Sequence, residues 1–175
     1  PWMLFHAAEF PGTDVDVEGI PLRQGYGGQV RRRVSSTDFF GQKGIAILRG
    51  GEGTEAQAAL VRFGQSLNHG HHDDLNLNYY ALGKEVTYDL GYGLGSTHTQ
   101  VGWSKQTASH NLVVVNETSQ HSGGGGSGGS LFLCDEMPGV RVLEAEAHAA
   151  YLGQGVEQYR RMVALIGEGS ERYLV

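Results

Sequence analysis

The sequence has little of several residue types whose abundance would point to a particular class of protein. It contains one cysteine, Cys134, so no intrachain disulfide can form and cysteine usage gives no indication of the compartment. Only 4 prolines stand against 28 glycines, a balance that favours strands and tight turns over a helical bundle. No apolar run approaches about 20 residues, which excludes a membrane-spanning helix.

Positive charge is also scarce. The chain has 13 lysines and arginines against 19 acidic residues, a formal net charge of -6 at pH 7. Because nucleic-acid phosphates are held mainly by basic surfaces, this balance argues against nucleic acid as the main partner. At 175 residues, with 39% hydrophobic and 18% charged residues, the chain has the size and composition of one globular domain.

Short segments with the character of strands follow one another between turn signals. "GIAILRGG" and "EAQAALVRFG" are apolar runs, "DLNLNYYAL" alternates with period two, and "GKEVTYDLG" predicts the second arm of a hairpin. Further strands are predicted in "HNLVVVNETS", "LFLCDEM", "VRVLEAEAHAAYL", "EQYRRMVALIG" and "ERYLV". Roughly nine strand candidates with almost no helix predict an all-β fold, an antiparallel β-sandwich.

The regular pattern does not extend over the whole chain. Residues 1–43 show no sustained period of 2 or 3.6, and we interpret them as an irregular lead-in or linker from a missing N-terminal domain. Residues 44–175 are the predicted sandwich domain. Because the chain starts without methionine and stops within the strand-like "ERYLV", we expect a piece of a longer protein, truncated at its C-terminus. The lack of a signal peptide therefore carries no information about localisation.

Three histidines and two aspartates occupy the six positions 69–74, "HGHHDD". In an extended segment His69 and His71 share a face, while His72 points to the other side. Asp89 lies in the adjacent hairpin arm and His110 opens a later β-branched run. Two imidazoles and one carboxylate converging from neighbouring strands would leave an open coordination position, as in a zinc-like site. An unliganded polar cluster is the alternative, and for the isolated His6, His121 and His148 we expect structural or surface roles.

Two other metal sites match part of this stretch. "HGHHD" fits the start of the HxHxDH signature of metallo-β-lactamase-like hydrolases, but Asp74 stands where the last histidine belongs and a strand, not a helix, is predicted to follow. Alternatively, His71, Asp73 and a distant histidine would form the facial triad of a non-haem iron oxygenase, with Arg160 binding an oxoacid. That triad needs only a short and common pattern.

Four ordered motifs are more specific than any of these patterns alone. "GIAILRGG", "FGQSLNHGHHDDLNLNYYALGKEVTYDLGYG", "WSKQTASHNLVVVNETSQ" and "YRRMVALIG" resemble the β-sandwich part of the heparinase II/III-like polysaccharide lyases, with the oligoalginate-lyase branch nearest in character. The resemblance covers about residues 40–175. It implies an antiparallel β-sandwich that packs, in the whole enzyme, on an N-terminal α/α toroid absent from this chain.

The resemblance also implies roles for individual residues. His71, Asp89 and His110 match the zinc ligands of the family, and His69 matches a catalytic histidine beside the substrate uronate. Asn111, which follows the last ligand, is implied to bind near the substrate carboxylate. Arg160 and Arg161 lie on one predicted strand, and one of them is expected to face the cleft. We predict that Arg160 binds the substrate. Relatives carry an active-site tyrosine between the second and third ligands; here Tyr92 lies too near Asp89, so His98 is the predicted substrate-binding residue of that loop.

The implied activity is that of a carbon–oxygen lyase acting on uronic-acid-containing polysaccharides, of alginate or glycosaminoglycan type, by β-elimination. The acid and base of the family lie on the toroid side of the cleft, so we expect this chain to be inactive alone. The implied cofactor is zinc, the partners are an acidic polysaccharide or oligosaccharide and the missing toroid, and the location is periplasmic or extracellular. A non-catalytic carbohydrate-binding or structural β-domain remains the alternative.

Overall fold

The computed structural model describes residues 37–40, 44–66, 70–93, 95–121 and 128–175, and within this part the protein is built from two antiparallel sheets. The predicted all-β antiparallel sandwich is confirmed. The five-stranded sheet consists of β1 (Thr37–Phe40), β2 (Ile45–Gly50), β3 (Gln57–Arg62), β4 (Leu77–Ala81) and β5 (Lys84–Glu85). The four-stranded sheet consists of β6 (Ser130–Met137), β7 (Val140–Glu146), β8 (Arg160–Ile166) and β9 (Tyr173–Leu174).

Each sheet is a meander in which strands adjacent in sequence pair with one another. Helical structure in the described residues is limited to short turns. These are the 3-10 turns Gly53–Glu55, Thr107–Ser109, His148–Tyr151 and Gly169–Glu171, and the π-helical turn Gln100–Ser104. In the described part of the chain, no helix is long and apolar enough to cross a membrane.

The main hydrophobic core lies between the two sheets. Its fully buried strand residues are Ala46, Leu48, Ala59 and Val61 from the first sheet and Leu143, Ala145, Val163 and Leu165 from the second. The set combines small alanines with larger aliphatic side chains, a mixture that allows two sheets to pack closely. The core thus fixes β2 and β3 against β7 and β8, and the long connections of the first sheet emerge from this frame.

The first sheet is buried on both faces at its centre. Ile47, Ala58, Leu60 and Tyr80 form a second apolar cluster on the face opposite the main core. A strand that is covered on both sides has no polar face to the solvent, so its sequence loses the alternation of a half-buried strand. This explains why "GIAIL" and "AALV" are continuous apolar runs, although the sheet is antiparallel.

Glycine is required where β2 begins next to the end of β3. Gly44 has φ of +60°, and a Cβ atom there would lie 2.1 Å from the Cα of Gly64. Its carbonyl accepts hydrogen bonds from the backbone N–H groups of Phe63 and Gly64, at 2.6 and 3.0 Å. This close approach directs the chain from β3 into the connection that carries the histidine cluster.

The predicted strand over 110–119 is wrong. Val115 and Thr118 form an isolated bridge around a turn at Asn116 and Glu117, whose φ angles are +51° and +54°. Val113 is 62% exposed, so the valine run is not a core strand. The backbone is instead held by side chains: Tyr159 Oη donates to the carbonyl of Val113 at 2.7 Å, and such bonds replace a strand partner. The hairpin arm predicted over 83–91 is also shorter, since only Lys84 and Glu85 pair with β4.

The predicted lead-in over 1–43 lies mostly outside the described residues. Its described portion is the backbone of β1, which pairs with β2 from Thr37 opposite Leu48 to Phe40 opposite Ile45. Antiparallel structure therefore begins before residue 44. The division into a lead-in and a sandwich domain remains a prediction.

Candidate metal centre

Two connections between strands, β3 to β4 and β5 to β6, bring His71, Asp89 and His110 together. His71 lies between β3 and β4, Asp89 lies in the extended segment after β5, and His110 ends the 3-10 turn Thr107–Ser109. One potential ligand atom from each residue lies within 4.8 Å of the other two. The three residues therefore form a group able to hold a metal ion, with His71 and His110 buried and Asp89 half-buried.

Asp89 and His110 form the tightest pair of the group. His110 Nδ1 lies 3.2 Å from Asp89 Oδ2, and the His110 side chain is only 1% exposed. The other carboxylate oxygen of Asp89, Oδ1, accepts a hydrogen bond from the backbone N–H of Gly91 at 2.7 Å. The hydrogen bond from His110 lowers the pKa of Asp89, against the opposing effect of burial. Asp89 is thus kept as a carboxylate, the form that binds metals.

His71 completes the group from the other side. Its ring centre lies 5.1 Å from that of His110, and its Nε2 lies 3.1 Å from the side-chain nitrogen of Gln100. The Tyr92 ring stacks near His71, with 6.4 Å between centres and 23° between planes. Burial, followed by the neighbouring His110, lowers the pKa of His71. The neutral imidazole, which is the ligating form, is therefore favoured at neutral pH.

The residues present fit a metal ion. Nε2 of His110 is buried and has no hydrogen-bond partner in the described part of the chain. A bound metal ion would supply the missing partner of this nitrogen. Two imidazoles and one carboxylate suit a transition metal and leave a position open.

The backbone around His71 is fixed by hydrogen bonds to the segment that leads to His110. Ser66 Oγ donates to the carbonyl of His71 at 2.6 Å, and the N–H of His72 donates to the carbonyl of Lys105 at 2.9 Å. Thr107 Oγ1 donates to the carbonyl of His72 at 2.7 Å. Two of these three hydrogen bonds join the loops that carry His71 and His110.

The two aspartates of the cluster lie against Arg62 and are not part of this group. Arg62 forms an ion pair with Asp73 and lies 3.6 Å from Asp74. Asp74 Oδ2 also accepts from the N–H of Gly128 at 2.7 Å. With Asp73 engaged by Arg62, a facial triad of His71, Asp73 and a further histidine is not supported. Asp74 takes no ligand position either, and strand β4 follows the motif where a metallo-β-lactamase-like site requires a helix.

Asp73 yields a prediction about pH. Burial raises the pKa of Asp73 to about 6, with Arg62 opposing the rise. Between the unfolded-state value of about 4 and this value, the folded chain keeps a proton that the unfolded chain loses, so this carboxyl's contribution to stability falls as the pH rises. Asp73→Asn mimics the protonated acid and does not titrate. From about pH 4 to about pH 7 its stability relative to the unchanged chain should rise by on the order of 1–3 kcal/mol.

The measurement is denaturant unfolding of both chains at the two pH values, with a chelator present. A stability difference that stays constant with pH would contradict the burial effect at Asp73. In a parallel titration Asp73→Asn should bind metal as well as the unchanged chain does, because the Asp73 carboxylate contacts Arg62. Loss of the metal in this variant would make Asp73 a ligand.

The other predicted site residues are not all close to this centre. Asn111 follows His110 and donates from its side-chain amide to the carbonyl of Tyr88 at 3.4 Å. His98 is exposed and lies two residues before Gln100. Arg160 pairs with Glu144 at 3.5 Å and lies 4.0 Å above the ring of Phe132, so its guanidinium is engaged outside the group. His69 lies outside the described residues. The roles of these four residues remain predictions.

Two residues that the sequence did not single out, and one of the two arginines that it did, contact the centre or its supports. Asn76 and Gln100 contact Asp89 and His71, and Arg161 donates to the carbonyls of Leu75 and Asn111. Arg161, the strand neighbour of Arg160, is thus the arginine that reaches the site. An adjacent residue of a strand points to the opposite face, which would have separated the two arginines once the face of β8 was known.

Comparisons with known proteins agree with this architecture. Residues 32–174 match the family model described as Heparinase II/III-like, C-terminal. The chain is 36% identical over 93 residues to an exo-oligoalginate lyase of Saccharophagus degradans, covering 47% of this chain and 13% of that protein. It is 34% identical over 115 residues to an alginate lyase of Stenotrophomonas maltophilia, covering 59% of this chain and 15% of that one. The chain thus spans less than a fifth of either relative.

Solved structures give the same fold at low sequence identity. The heparan sulfate lyase HepC from Pedobacter heparinus superimposes with a TM-score of 0.62 at 15% identity, over 79% of this chain and 21% of that chain. A crystal structure of heparinase III gives a TM-score of 0.56 at 19% identity, over 73% and 20%. At these identities the likeness concerns the fold alone.

Proposed function

The chain belongs to the heparinase II/III-like family, as its C-terminal part, and from this premise we propose that it is the zinc-containing β-sandwich of a polysaccharide lyase. The reaction is β-elimination at a uronic-acid residue of an alginate-type or glycosaminoglycan-type polymer. The observation that carries the proposal is the convergence of His71, from the connection between β3 and β4, with Asp89 and His110, from the long connection between β5 and β6. The names of the two relatives, both alginate lyases, support uronate as the substrate class.

The reaction sets a clear demand on the site. A base must remove the C5 proton, which lies α to the uronate carboxylate, while the C4 oxygen leaves. That proton is too weakly acidic while the carboxylate keeps its full charge, so donors or positive charge must first neutralise it. When bound, zinc supplies positive charge and orders the three ligand segments. The residues around it then have to orient and neutralise the sugar acid.

Several residues of the chain are placed to meet this demand. Asn111 directly follows His110, and its side-chain amide, which now contacts the Tyr88 carbonyl, is the donor proposed for the uronate carboxylate. Tyr92 is 57% exposed beside His71 and offers an aromatic face to a sugar ring. We assign the catalytic role at the carboxylate to His69, and substrate contacts to His98 and Arg160. These assignments rest on the family motif.

The remainder of the machinery lies outside this chain in our proposal. Because the chain spans 13% and 15% of the alginate lyases it resembles, we place it in a larger lyase, whose α/α toroid supplies the acid and base. The cleft between the two parts would hold the acidic polysaccharide. The periplasmic or extracellular location that the family resemblance implies is part of the proposal. The isolated chain should therefore bind zinc without catalysing elimination.

The test is turnover by the whole lyase that contains this chain. Alginate, heparan sulfate and other uronate polymers are offered separately, and the unsaturated uronate produced by elimination is followed by its ultraviolet absorbance. We expect absorbance to grow with one polymer class and His69→Ala to lower kcat about 10²–10³-fold, the usual effect of removing one donor that stabilises the charge of the transition state. His148→Ala is the matched control, since His148 pairs with Glu146 on the surface.

Each outcome separates the candidate functions. Turnover that depends on His69 supports the lyase and identifies its polymer. No turnover by folded, zinc-loaded whole protein on any uronate polymer would contradict the proposal. If that protein still bound one of the polymers, the non-catalytic carbohydrate-binding function would take its place.

A further inference from the structure

We infer that Asn76 is a positioning residue of the metal centre: its side-chain amide holds the Asp89 carboxylate and the backbone that follows His110 in their ligating arrangement. This inference rests on the proposed function, because it concerns the same site. Asn76 does not itself belong to the group that can hold the ion. It acts through two hydrogen bonds, one to a ligand and one to the residue after another ligand.

The contacts of the Asn76 amide use both of its ends. Its nitrogen donates to Asp89 Oδ2 at 2.9 Å, and its oxygen accepts from the backbone N–H of Asn111 at 2.9 Å. A weaker contact from the same nitrogen to Asn78 Oδ1 measures 3.4 Å. Asn76 is 1% exposed, so water does not compete for these groups. An amide is suited to this position because it donates to a carboxylate and accepts from an N–H at once.

The backbone just before Asn76 is held in an unusual conformation. Leu75 adopts a left-handed conformation with φ of +68° and is 2% exposed. Its N–H donates to the carbonyl of Arg62 at 2.6 Å, and its carbonyl accepts from Arg161 at 2.6 Å. A conformation that is costly for leucine is thus held on both sides, at the residue that precedes the amide.

The oxygen held by Asn76 is the one that faces the histidine. Asp89 Oδ2 lies 2.9 Å from the Asn76 nitrogen and 3.2 Å from Nδ1 of His110. With Oδ1 bonded to the N–H of Gly91, neither oxygen of the carboxylate is free to rotate away. Without the amide, Oδ2 would keep only its imidazole neighbour, and the His110–Asn111 backbone would lose its link to β4. Partners of this kind typically contribute 10–100-fold to metal affinity.

The test compares Zn²⁺ affinity and the visible spectrum of the Co²⁺-loaded chain. We expect Asn76→Ala to weaken Zn²⁺ binding about 10–100-fold in a chelator competition titration. Asn76→Asp keeps the shape of the side chain but cannot donate to Asp89 and adds a like charge, so its loss should be at least as large. Both variants should shift the Co²⁺ bands, because the geometry of the Asp89 ligand changes.

Asn78→Ala is the matched control, since it removes only the 3.4 Å contact to Asn76 and should leave affinity within about twofold. Circular dichroism verifies folding, and if Asn76→Ala does not fold, the isosteric Asn76→Asp decides. Wild-type affinity and an unchanged Co²⁺ spectrum in a folded Asn76 variant would overturn the positioning role. A failure of the unchanged chain to bind Zn²⁺ or Co²⁺ is a different result: it would remove the metal centre itself, and the inference with it.

Discussion

Replacing His110 by alanine is expected to remove zinc from the chain. The unchanged chain should carry about one zinc ion, and His110→Ala should weaken its binding by more than about 100-fold, beyond the 10–100-fold typical of residues that only support a ligand. His110 pairs directly with Asp89, and its side chain is 1% exposed, so water has little access to take over its position. Asp89→Ala should act in the same way, because both other candidate ligands would then be left without their carboxylate.

Zinc content per folded chain is the measurement, by elemental analysis after dialysis and by chelator competition. His121→Ala and His148→Ala are matched controls: both histidines are exposed, and each contacts a group away from the centre, the Leu152 carbonyl and Glu146 respectively. They should retain full zinc content. Retention of zinc by folded His110→Ala and Asp89→Ala would show that the ion, if bound, lies elsewhere.

The histidine cluster illustrates what the sequence could predict. Spacing and the ordered motifs predicted that His71, Asp89 and His110 form one site, because each stands next to a recognisable strand or turn. The structure also divides the cluster by face: His71 lies beside His110, whereas Nδ1 of His72 lies 2.6 Å from the carbonyl of Gln120. Adjacent residues of an extended segment serve different purposes, one at the centre and one in the framework beneath it.

The supporting residues could not be predicted in the same way. Asn76 appears in the sequence as the polar partner of Leu75 and Leu77 in a half-buried strand. Its contacts reach Asp89 and Asn111, 13 and 35 positions away, and the left-handed conformation of the preceding Leu75 has no sign in the sequence. The hydrogen bonds that hold Leu75 in this conformation come from Arg62 and Arg161. These residues lie 13 positions before and 86 positions after Leu75, so no local sequence pattern reveals the bonds.

The valine run after His110 failed as a strand for a related reason. β-branched residues favour strands only when a neighbouring strand and a packing surface are available. Here the backbone bonds of the run are taken by side chains, including Tyr151 and Tyr159, and the chain turns at Asn116 and Glu117. The described residues hold nine strands, as many as were predicted, but this segment is not one of them and β1 lies in the predicted lead-in, because tertiary contacts decide which segments pair.

Tyr151→Ala is expected to lower the free energy of unfolding by about 3–5 kcal/mol, as for other large aromatic side chains removed from a core. Tyr151 is 1% exposed and packs edge-on against Tyr159, with 5.1 Å between ring centres. Its hydroxyl accepts from the N–H of Val115 at 3.2 Å and donates to the carbonyl of Thr118 at 3.3 Å. Tyr151→Phe keeps the packing and loses only these bonds, a cost of about 1 kcal/mol.

The measurement is urea unfolding of the zinc-free chain, with Tyr173→Ala as the matched control: Tyr173 is 56% exposed, so its removal should cost no more than about 0.5 kcal/mol. A loss below about 1 kcal/mol for Tyr151→Ala would mean that the second sheet does not depend on this ring. The expected result has a consequence for the site. The Tyr151 hydroxyl holds the segment that follows His110 and Asn111, so folded Tyr151→Phe tests whether the core restrains the metal centre. A lower zinc affinity at nearly unchanged stability would assign that restraint to the two hydrogen bonds of the hydroxyl.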